Sequence, residues 1–390
     1  MASNPVFSRR SLVRIVLDLV AEELQASRAK SAAALGRAGW SEATRLDGAG
    51  LDLDSLERMD AASALNEFFH LYEYGAEDHL LALPSVGEWC DLVEQSLRAT
   101  GTRLTFRTSG STGEPKRCTH AVADLMSEAE GWARLLGSVS GVVALVPAHH
   151  IYGAIFTALL PDVLGVDAAE PAGGAEAVRS ARPGALVVGT PTNWAYLSRS
   201  LLAVPPGVAG VTSTAPMPHH LAYRLRGQRL DRLVEVYGSS ETAGLAWRDR
   251  EDAAYALLSC WARAADDAVA RADGAPMLLP DRVRWLDERC FAVEGRRDGA
   301  VQIGGTNVFP SQVRDQLLAH AGVADAAVRL DERTGRLKAF VVPAGGVDPD
   351  RLVVELDGWC GARLRSVERP RRFAAGRALP VNAMGKPADW

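Results

Sequence analysis

Apolar positions near the amino end recur every third or fourth residue, at Leu12, Ile15, Val16, Leu19, Val20 and Leu24, and predict a helix over 8–29 with one face to bury. A Gly- and Ala-rich connection follows. Asp54 and Ser55 then open a second helix as its N-cap, with Leu56, Met59, Leu65, Phe68 and Phe69 as its apolar face, and shorter helical pieces over 77–83 and 85–97 complete a four-helix unit. From about residue 101 the pattern changes. Apolar runs over 142–146, 185–188, 208–211 and 233–236 alternate with helical spacing over 151–164, 175–182, 193–202 and 219–230, which predicts a mostly parallel sheet wrapped by helices. Beyond residue 304, a helix over 311–321, a strand pair over 326–330 and 337–342 joined by a turn holding Asp331 and Gly335, and a helix over 349–364 predict a small α+β unit. The fold class is therefore α/β in three parts: a small helical bundle over 1–98, a doubly wound body over 99–298 and an α+β unit over 299–390.

In such a body, ligands collect beyond the carboxyl ends of the strands. Residues 108–116, TSGSTGEPK, fall at such a place, between an expected strand over 103–106 and an expected helix over 119–137. Thr108, Ser109, Ser111 and Thr112 bring hydroxyls, Gly110 and Gly113 allow close backbone approach, and Lys116 brings an ammonium, a set that can surround a polyphosphate. Pro115 stands where a Walker A loop needs glycine, so the stretch is a different phosphate grip or else a Ser/Gly surface loop.

Composition narrows the class without naming it. At 390 residues and 47% hydrophobic content, two or three full cores can form. Asp18, Glu22 and Glu23 interrupt the first apolar stretch, and no run approaches the ~18 residues of a membrane span, so a helix is expected there with no signal peptide and no membrane span. Cys90, Cys118, Cys260, Cys290 and Cys360 are scattered without a CxxC pair, which suggests neither a zinc site nor a disulfide framework and points to a cytoplasmic location. Net charge is −5, yet residues 41–100 carry thirteen acidic against three basic side chains. Nucleic acid is a poor partner for that surface; a basic protein, or the basic remainder of the chain, suits it better.

Four further stretches follow TSGSTGEPK in order: VPAHHIYG over 146–153, VEVYGSSETAG over 234–244, LPDRVRW with GRRDGAVQIGG over 279–305, and a terminal Gly385-Lys386. Together they resemble the adenylate-forming superfamily of acyl- and aryl-CoA ligases, luciferases and peptide-synthetase adenylation domains, over residues 101–390. The resemblance implies that a carboxylate attacks the α-phosphate of ATP, releasing pyrophosphate, and that a pantetheine thiol, on CoA or on 4′-phosphopantetheine, then takes the acyl group. It assigns Thr108, Ser109, Gly110, Ser111, Thr112, Gly113 and Lys116 to the β- and γ-phosphates, Glu241 to Mg²⁺, and Lys386 to the α-phosphate and substrate carboxylate. Thr214, Ala215, Pro216, Tyr237, Gly238 and Ser240 would meet adenine and its surroundings, and Asp281 and Arg296 the ribose. Asp298 matches the hinge of a mobile C-terminal lid, and Gly305 the thiol channel. His150 matches the aromatic-or-histidine position beside the acyl group, with Tyr152, Trp194, Ala243 and Gly244 as neighbours. No acid in VPAHHIYG could pair with an α-amine, which favours an aryl or fatty acid over an amino acid; His149 and His150, adjacent in sequence, are expected to point apart and not to bind metal.

The chain departs from the family pattern ahead of the phosphate loop, where a long first subdomain is usual. An abbreviated large domain is therefore expected, with an acyl pocket partly open or completed by another chain. In place of that subdomain, the order of helices, the acidic second helix and Asp54-Ser55-Leu56 resemble an acyl carrier protein, in which the serine carries 4′-phosphopantetheine; Ser55 either does so or simply caps its helix. The acyl acceptor would then be CoA, a separate carrier protein or synthase, or Ser55 itself. A non-catalytic nucleotide-binding or carrier-docking scaffold is the alternative, against which stand Lys116, Glu241 and Lys386.

Overall fold

The computed structural model describes residues 7–30, 35–48, 50–100, 103–108, 116–169, 174–201, 203–250, 252–272, 274–380 and 389–390. These fall into two compact units, one drawn from residues up to 108, from 116–278 and from 284–292, the other from 279–283 and 293–390.

The first unit is built on a mixed sheet. Its parallel part consists of β3 (Val142–Ala144), β4 (Ala168–Ala169), β5 (Leu186–Gly189), β6 (Ala209–Thr212) and β7 (Arg232–Ser239), in the order β4-β3-β5-β6-β7. All but β4 correspond to the apolar runs read from the sequence, and β5 is buried along its length, as a strand covered on both faces must be. Beyond β7 the direction alternates: β8 (Ala243–Arg248) and β9 (Tyr255–Leu257) add antiparallel, and Cys290 and Phe291 pair with Ala256 and Tyr255 on the far side of β9. The turns after β3, β6 and β7 leave the carboxyl ends of parallel strands and carry VPAHHIYG, Thr214-Ala215-Pro216 and the YGSSETAG stretch, whereas the phosphate-loop and 279–305 stretches lie elsewhere.

Three N-terminal helices belong to this same unit: α1 (Arg9–Arg28), α2 (Ser55–Phe69) and α3 (Val86–Ala99). They do not stand apart as a carrier-like bundle ending at residue 98. The α1 stripe is buried against the helical segment that follows β3. Ser8 N and Ser11 Oγ donate to the Asp162 carboxylate at 2.8 Å each, Ser11 Oγ reaches the Ala158 carbonyl at 3.1 Å, and Ala148 N donates to Asp18 at 2.7 Å. On α2, Phe68 meets Phe106 edge-on at 5.0 Å, while Glu67 pairs with Arg107 and Arg117. Leu56 and Met59, expected on the buried face, are 71% and 54% exposed. The cap of α2 is Asp54 alone: its carboxylate accepts from Leu56 N at 2.8 Å and Glu57 N at 2.9 Å, and Glu57 returns a bond to Asp54 N. Ser55 is the first helical residue, exposed to solvent.

The second unit is the expected α+β arrangement. A hairpin of Val323–Asp331 and Arg336–Pro343, joined by Arg372–Ala375 in parallel, packs against helices Pro310–Leu318 and Pro349–Arg363 around Val328, Ala339, Val341, Leu352 and Leu356. A smaller hairpin, Val301–Ile303 with Thr306–Val308, turns through Gly304 and Gly305 at φ 59° and 82°. Two successive left-handed residues are what a type I′ two-residue hairpin turn requires, and glycine adopts that backbone at both without steric cost. Among the described residues no helix is long and apolar enough to cross a membrane.

Candidate active site

Thr108 closes β1 (Arg103–Thr108) and Lys116 opens β2 (Lys116–Ala121), and the two residues face each other across an antiparallel ladder. The phosphate-loop stretch is thus flanked by two antiparallel strands, where the sequence predicts a strand before it and a helix after it. The helix α4 (Val122–Leu136) begins only after β2. Ser109, Gly110, Ser111, Thr112 and Gly113 lie outside the described residues, as do Gly385 and Lys386.

The fold brings Lys116 to Glu241, 125 residues away, as an ion pair between Nζ and Oε1. Glu241 occupies the turn between β7 and β8, which is held by its own hydroxyls: Ser239 N donates to Thr242 Oγ1 at 3.0 Å and Thr242 N to Ser239 Oγ at 3.2 Å. A histidine that sequence reasoning passed over, His120 on β2, ties the turn to the hairpin through a 2.7 Å hydrogen bond between its Nε2 and the Ser240 carbonyl. Burial opposes the charge on Glu241, but hydrogen bonds from Lys116 and Ser239 outweigh it and hold the carboxyl below its ordinary value; the same contact with Glu241 raises Lys116. Both side chains remain about half exposed, at 58% and 45%, so a ligand can reach them.

Next to this pair, the loop after β6 is pinned on either side. Ser213 Oγ donates to the Val236 carbonyl at 3.1 Å, and Met217 N donates to the buried Glu235 carboxylate at 3.0 Å, which also accepts from Tyr255 Oη and Arg248 at 2.8 Å each. Between the pins, Thr214 and Pro216 are exposed and Ala215 half-buried, and Thr214 adopts φ 77°, a strained conformation for a β-branched residue. Tyr237 is positioned by Tyr255 and Phe291, each with ring centroids 5.3 Å away. In the second unit, Asp281 is 7% exposed with its Oδ1 3.9 Å from Arg296 Nε, and Arg296 also forks onto Asp298 at 2.6 and 3.1 Å. The Arg296 guanidinium is the main cause of an Asp298 carboxyl held below its usual value. The expected ribose pair and the expected hinge thus share one arginine.

The acyl-side residues divide. His150 is exposed just ahead of a helical segment that runs from Ile151 to Leu164 and contains a π-turn at Ile155–Leu159. Desolvation by surrounding protein, with the charge of the neighbouring His149, lowers His150 to about 4 although the residue as a whole is exposed. Tyr152 donates to the Gly189 carbonyl at 3.1 Å. Trp194, expected at the pocket, is a core residue: fully buried among Val187, Leu197 and Leu221, with Nε1 bonded to the Val211 carbonyl. Ala243 is buried at φ 58°. Gly244 is clasped on both sides, its N–H donating to Glu128 Oε1 at 2.9 Å and its carbonyl accepting from Trp261 Nε1 at 3.1 Å. A Cβ there would lie 2.3 Å from Glu128 Oε1, so only glycine fits. Glu128 has no exposed surface; burial drives its carboxyl up to about 7, against hydrogen bonds from Trp132 and Gly244 and the charge of Arg271. Nothing in the sequence of α4 distinguishes Glu128 from a solvent-facing glutamate.

Comparison with known proteins agrees with this geometry. The family described as AMP-binding enzyme matches residues 74–311, and the AMP-binding enzyme C-terminal domain matches 313–386. A 4-coumarate–CoA ligase of Rhodobacter capsulatus is 41% identical over 97% of this chain and 99% of its own length, and one of Halorhodospira halophila is 42% identical over 88% and 89%. Among solved structures, the o-succinylbenzoate CoA synthetase of Bacillus subtilis superposes with a TM-score of 0.58 at 18% identity, covering 96% of this chain and 91% of that one. The amide bond synthetase McbA of Marinactinospora thermotolerans gives 0.57 at 17%, covering 96% and 92%. The short form is therefore shared with full-length relatives, and these matches include no carrier-protein domain.

Proposed function

The chain belongs to the AMP-binding enzyme family, and on that premise we propose that it is an AMP-forming ligase joining an aryl acid of the 4-coumarate type to CoA. The observation that carries the reading is Lys116 against Glu241, a phosphate-binding cation beside a hard anionic oxygen at the mouth of a hairpin. Similarity to the two 4-coumarate–CoA ligases supplies the substrate class.

The physical difficulty is bringing a carboxylate up to a polyphosphate, since each like-charge pair at ~4 Å costs about 4 kcal/mol at an effective dielectric of 20. In our reading, Lys116 and the hydroxyls and amides of 108–113 hold the β- and γ-phosphates, and Thr214, Ala215, Pro216, Tyr237, Gly238 and Ser240 frame the adenine. Asp281 and Arg296 bind the ribose. An exposed, ionised carboxylate suits a hard divalent cation, so Glu241 would hold Mg²⁺, whose charge offsets that of the phosphates. Lys386 neutralises the α-phosphate while the acid oxygen attacks phosphorus and pyrophosphate leaves. In the second step the CoA sulfur attacks the acyl carbonyl, guided past the Gly304-Gly305 hairpin, and AMP leaves with the carboxyl oxygen. His150, Tyr152, Ala243 and Gly244 shape the acyl side. The acceptor is CoA: Ser55 sits on a helix whose inward face is already committed to the adenylation unit. The test is acid-dependent release of AMP and pyrophosphate with thioester formed from CoA, across cinnamic, benzoic and fatty acids. Absence of acid-dependent release with every acid would overturn the reading.

A further inference from the structure

Outside the nucleotide-binding residues, one cluster in the first unit combines three metal-binding side chains. Glu22 comes from α1, and His149 and His150 come from the loop after β3; one ligand atom from each lies within 4.8 Å of the others. Because this loop is neither extended strand nor helix, the adjacent histidines do not point apart: their rings meet at 4.2 Å, 64° from parallel. His149 Nε2 lies 3.5 Å from Glu22 Oε2. Two donors on one tetrahedral zinc, each bonded at about 2.05 Å, stand about 3.3 Å apart, so this pair is already spaced as co-ligands.

A second, independent observation points to a ligand. His149 is 8% exposed, and its buried Nδ1 makes no hydrogen bond of ordinary geometry, the Asp18 main chain being the acceptor that bears on this ring. Metal on Nε2 would make Nδ1 a fixed donor, the arrangement found in metal sites, and Asp18 is the group whose carboxylate and main chain act on that ring. Nearby cations are already paired: Arg37 with Asp18 at 2.6 Å, and Arg107 with Glu23 at 2.9 Å and Glu67 at 2.5 Å.

We propose that Glu22, His149 and His150 bind a divalent transition-metal ion of the Zn²⁺ class, leaving one coordination position open. A nitrogen-rich donor set selects against Mg²⁺ and Ca²⁺. Since His150 also flanks the acyl side of the reading above, an ion held there withdraws it, and the metal acts as an inhibitor competing with the acid. That consequence rests on the proposed function; the binding does not.

The test is titration of chelator-stripped protein with Co²⁺, read by its visible ligand-field bands, followed by displacement with Zn²⁺. A saturable spectrum is expected, weakened at least about 10-fold in Glu22→Gln and in His149→Gln. Ligase turnover in Mg²⁺ alone is expected to be unchanged in Glu22→Gln, whose side chain is 41% exposed, with Zn²⁺ inhibition relieved. A featureless wild-type titration, or binding undiminished in both variants, would overturn the proposal; loss of ligase activity with binding intact would overturn the proposed function alone.

Discussion

Glu128 offers the sharpest test of the site's architecture, because one carboxyl fixes the Gly244 backbone from inside the core. Its pKa is raised from 4.5 to about 7 by burial, so between those values the folded protein holds a proton that the unfolded chain has released. Stability from this group is therefore full below pH 4.5 and falls as pH rises through 7; integrated from pH 5 to pH 8, the loss is about 2–3 kcal/mol. Glu128→Gln keeps an oxygen for Gly244 N and Trp132 Nε1 and cannot titrate. Urea unfolding of both proteins at pH 5, 6, 7 and 8 isolates the effect: the wild type's stability relative to the variant should drop by about 2–3 kcal/mol across the series, most steeply below pH 7. A difference constant with pH would show that Glu128 stays ionised in the folded protein, with Arg271 fully compensating its burial. Acid activation should track the same titration less closely, since Gly244 N is held by an acceptor in either state.

Lys386→Ala should lower adenylation by about 10² to 10³ while leaving thioester formation from supplied acyl-adenylate near wild type; equal losses in both half-reactions would remove its assigned role. Gly210→Ala would place a Cβ 2.6 Å from the Trp194 ring and 2.9 Å from Leu233, costing about 1–3 kcal/mol in thermal or urea unfolding, and an unchanged midpoint would mean that the Trp194 core relaxes freely. Ser55→Ala should leave ligase activity with CoA intact, and the wild-type mass should not shift after incubation with CoA and a phosphopantetheinyl transferase; a shift lost in the variant would reinstate Ser55 as an acyl carrier.

Much of the fold was legible where a segment's neighbours in space are also its neighbours in pattern. The buried parallel strands announce themselves as apolar runs because both faces are covered, and the second unit's hairpin is marked by Asp331 and Gly335. What stayed hidden was partnership. The α1 stripe says that a surface must cover it, but nothing local says that the surface includes Ala158 and Asp162. Strand β2, KRCTHA, is mostly polar and paired on one side, so the helical spacing of α4 seemed to begin at the loop. Trp194 reads equally as pocket wall or core until Gly210 is seen against its ring. The histidine pair was misjudged because alternation of side chains holds only in strands, and residues 149–150 are not in one. The family motifs were legible as a series because the chemistry demands particular groups at each place, whereas Glu128 and His120, which position those groups, carry no such mark.

The contact between Lys116 and Glu241 has a bearing on the order of events at the site. Each charge has the other as counter-ion, so on the proposed reading a lone phosphate would compete with Glu241 for the ammonium and a lone magnesium ion would compete with Lys116 for the carboxylate. A metal–nucleotide complex replaces both partners in one exchange and leaves neither charge unmatched. The pair being exposed, its separation costs only about 0–1 kcal/mol. On the proposed reading the salt bridge would serve as a placeholder that favours the complete ligand over its fragments. Calorimetric titration with magnesium, with nucleotide and with both would measure that preference as binding energy in excess of the sum, and simple additivity would rule it out.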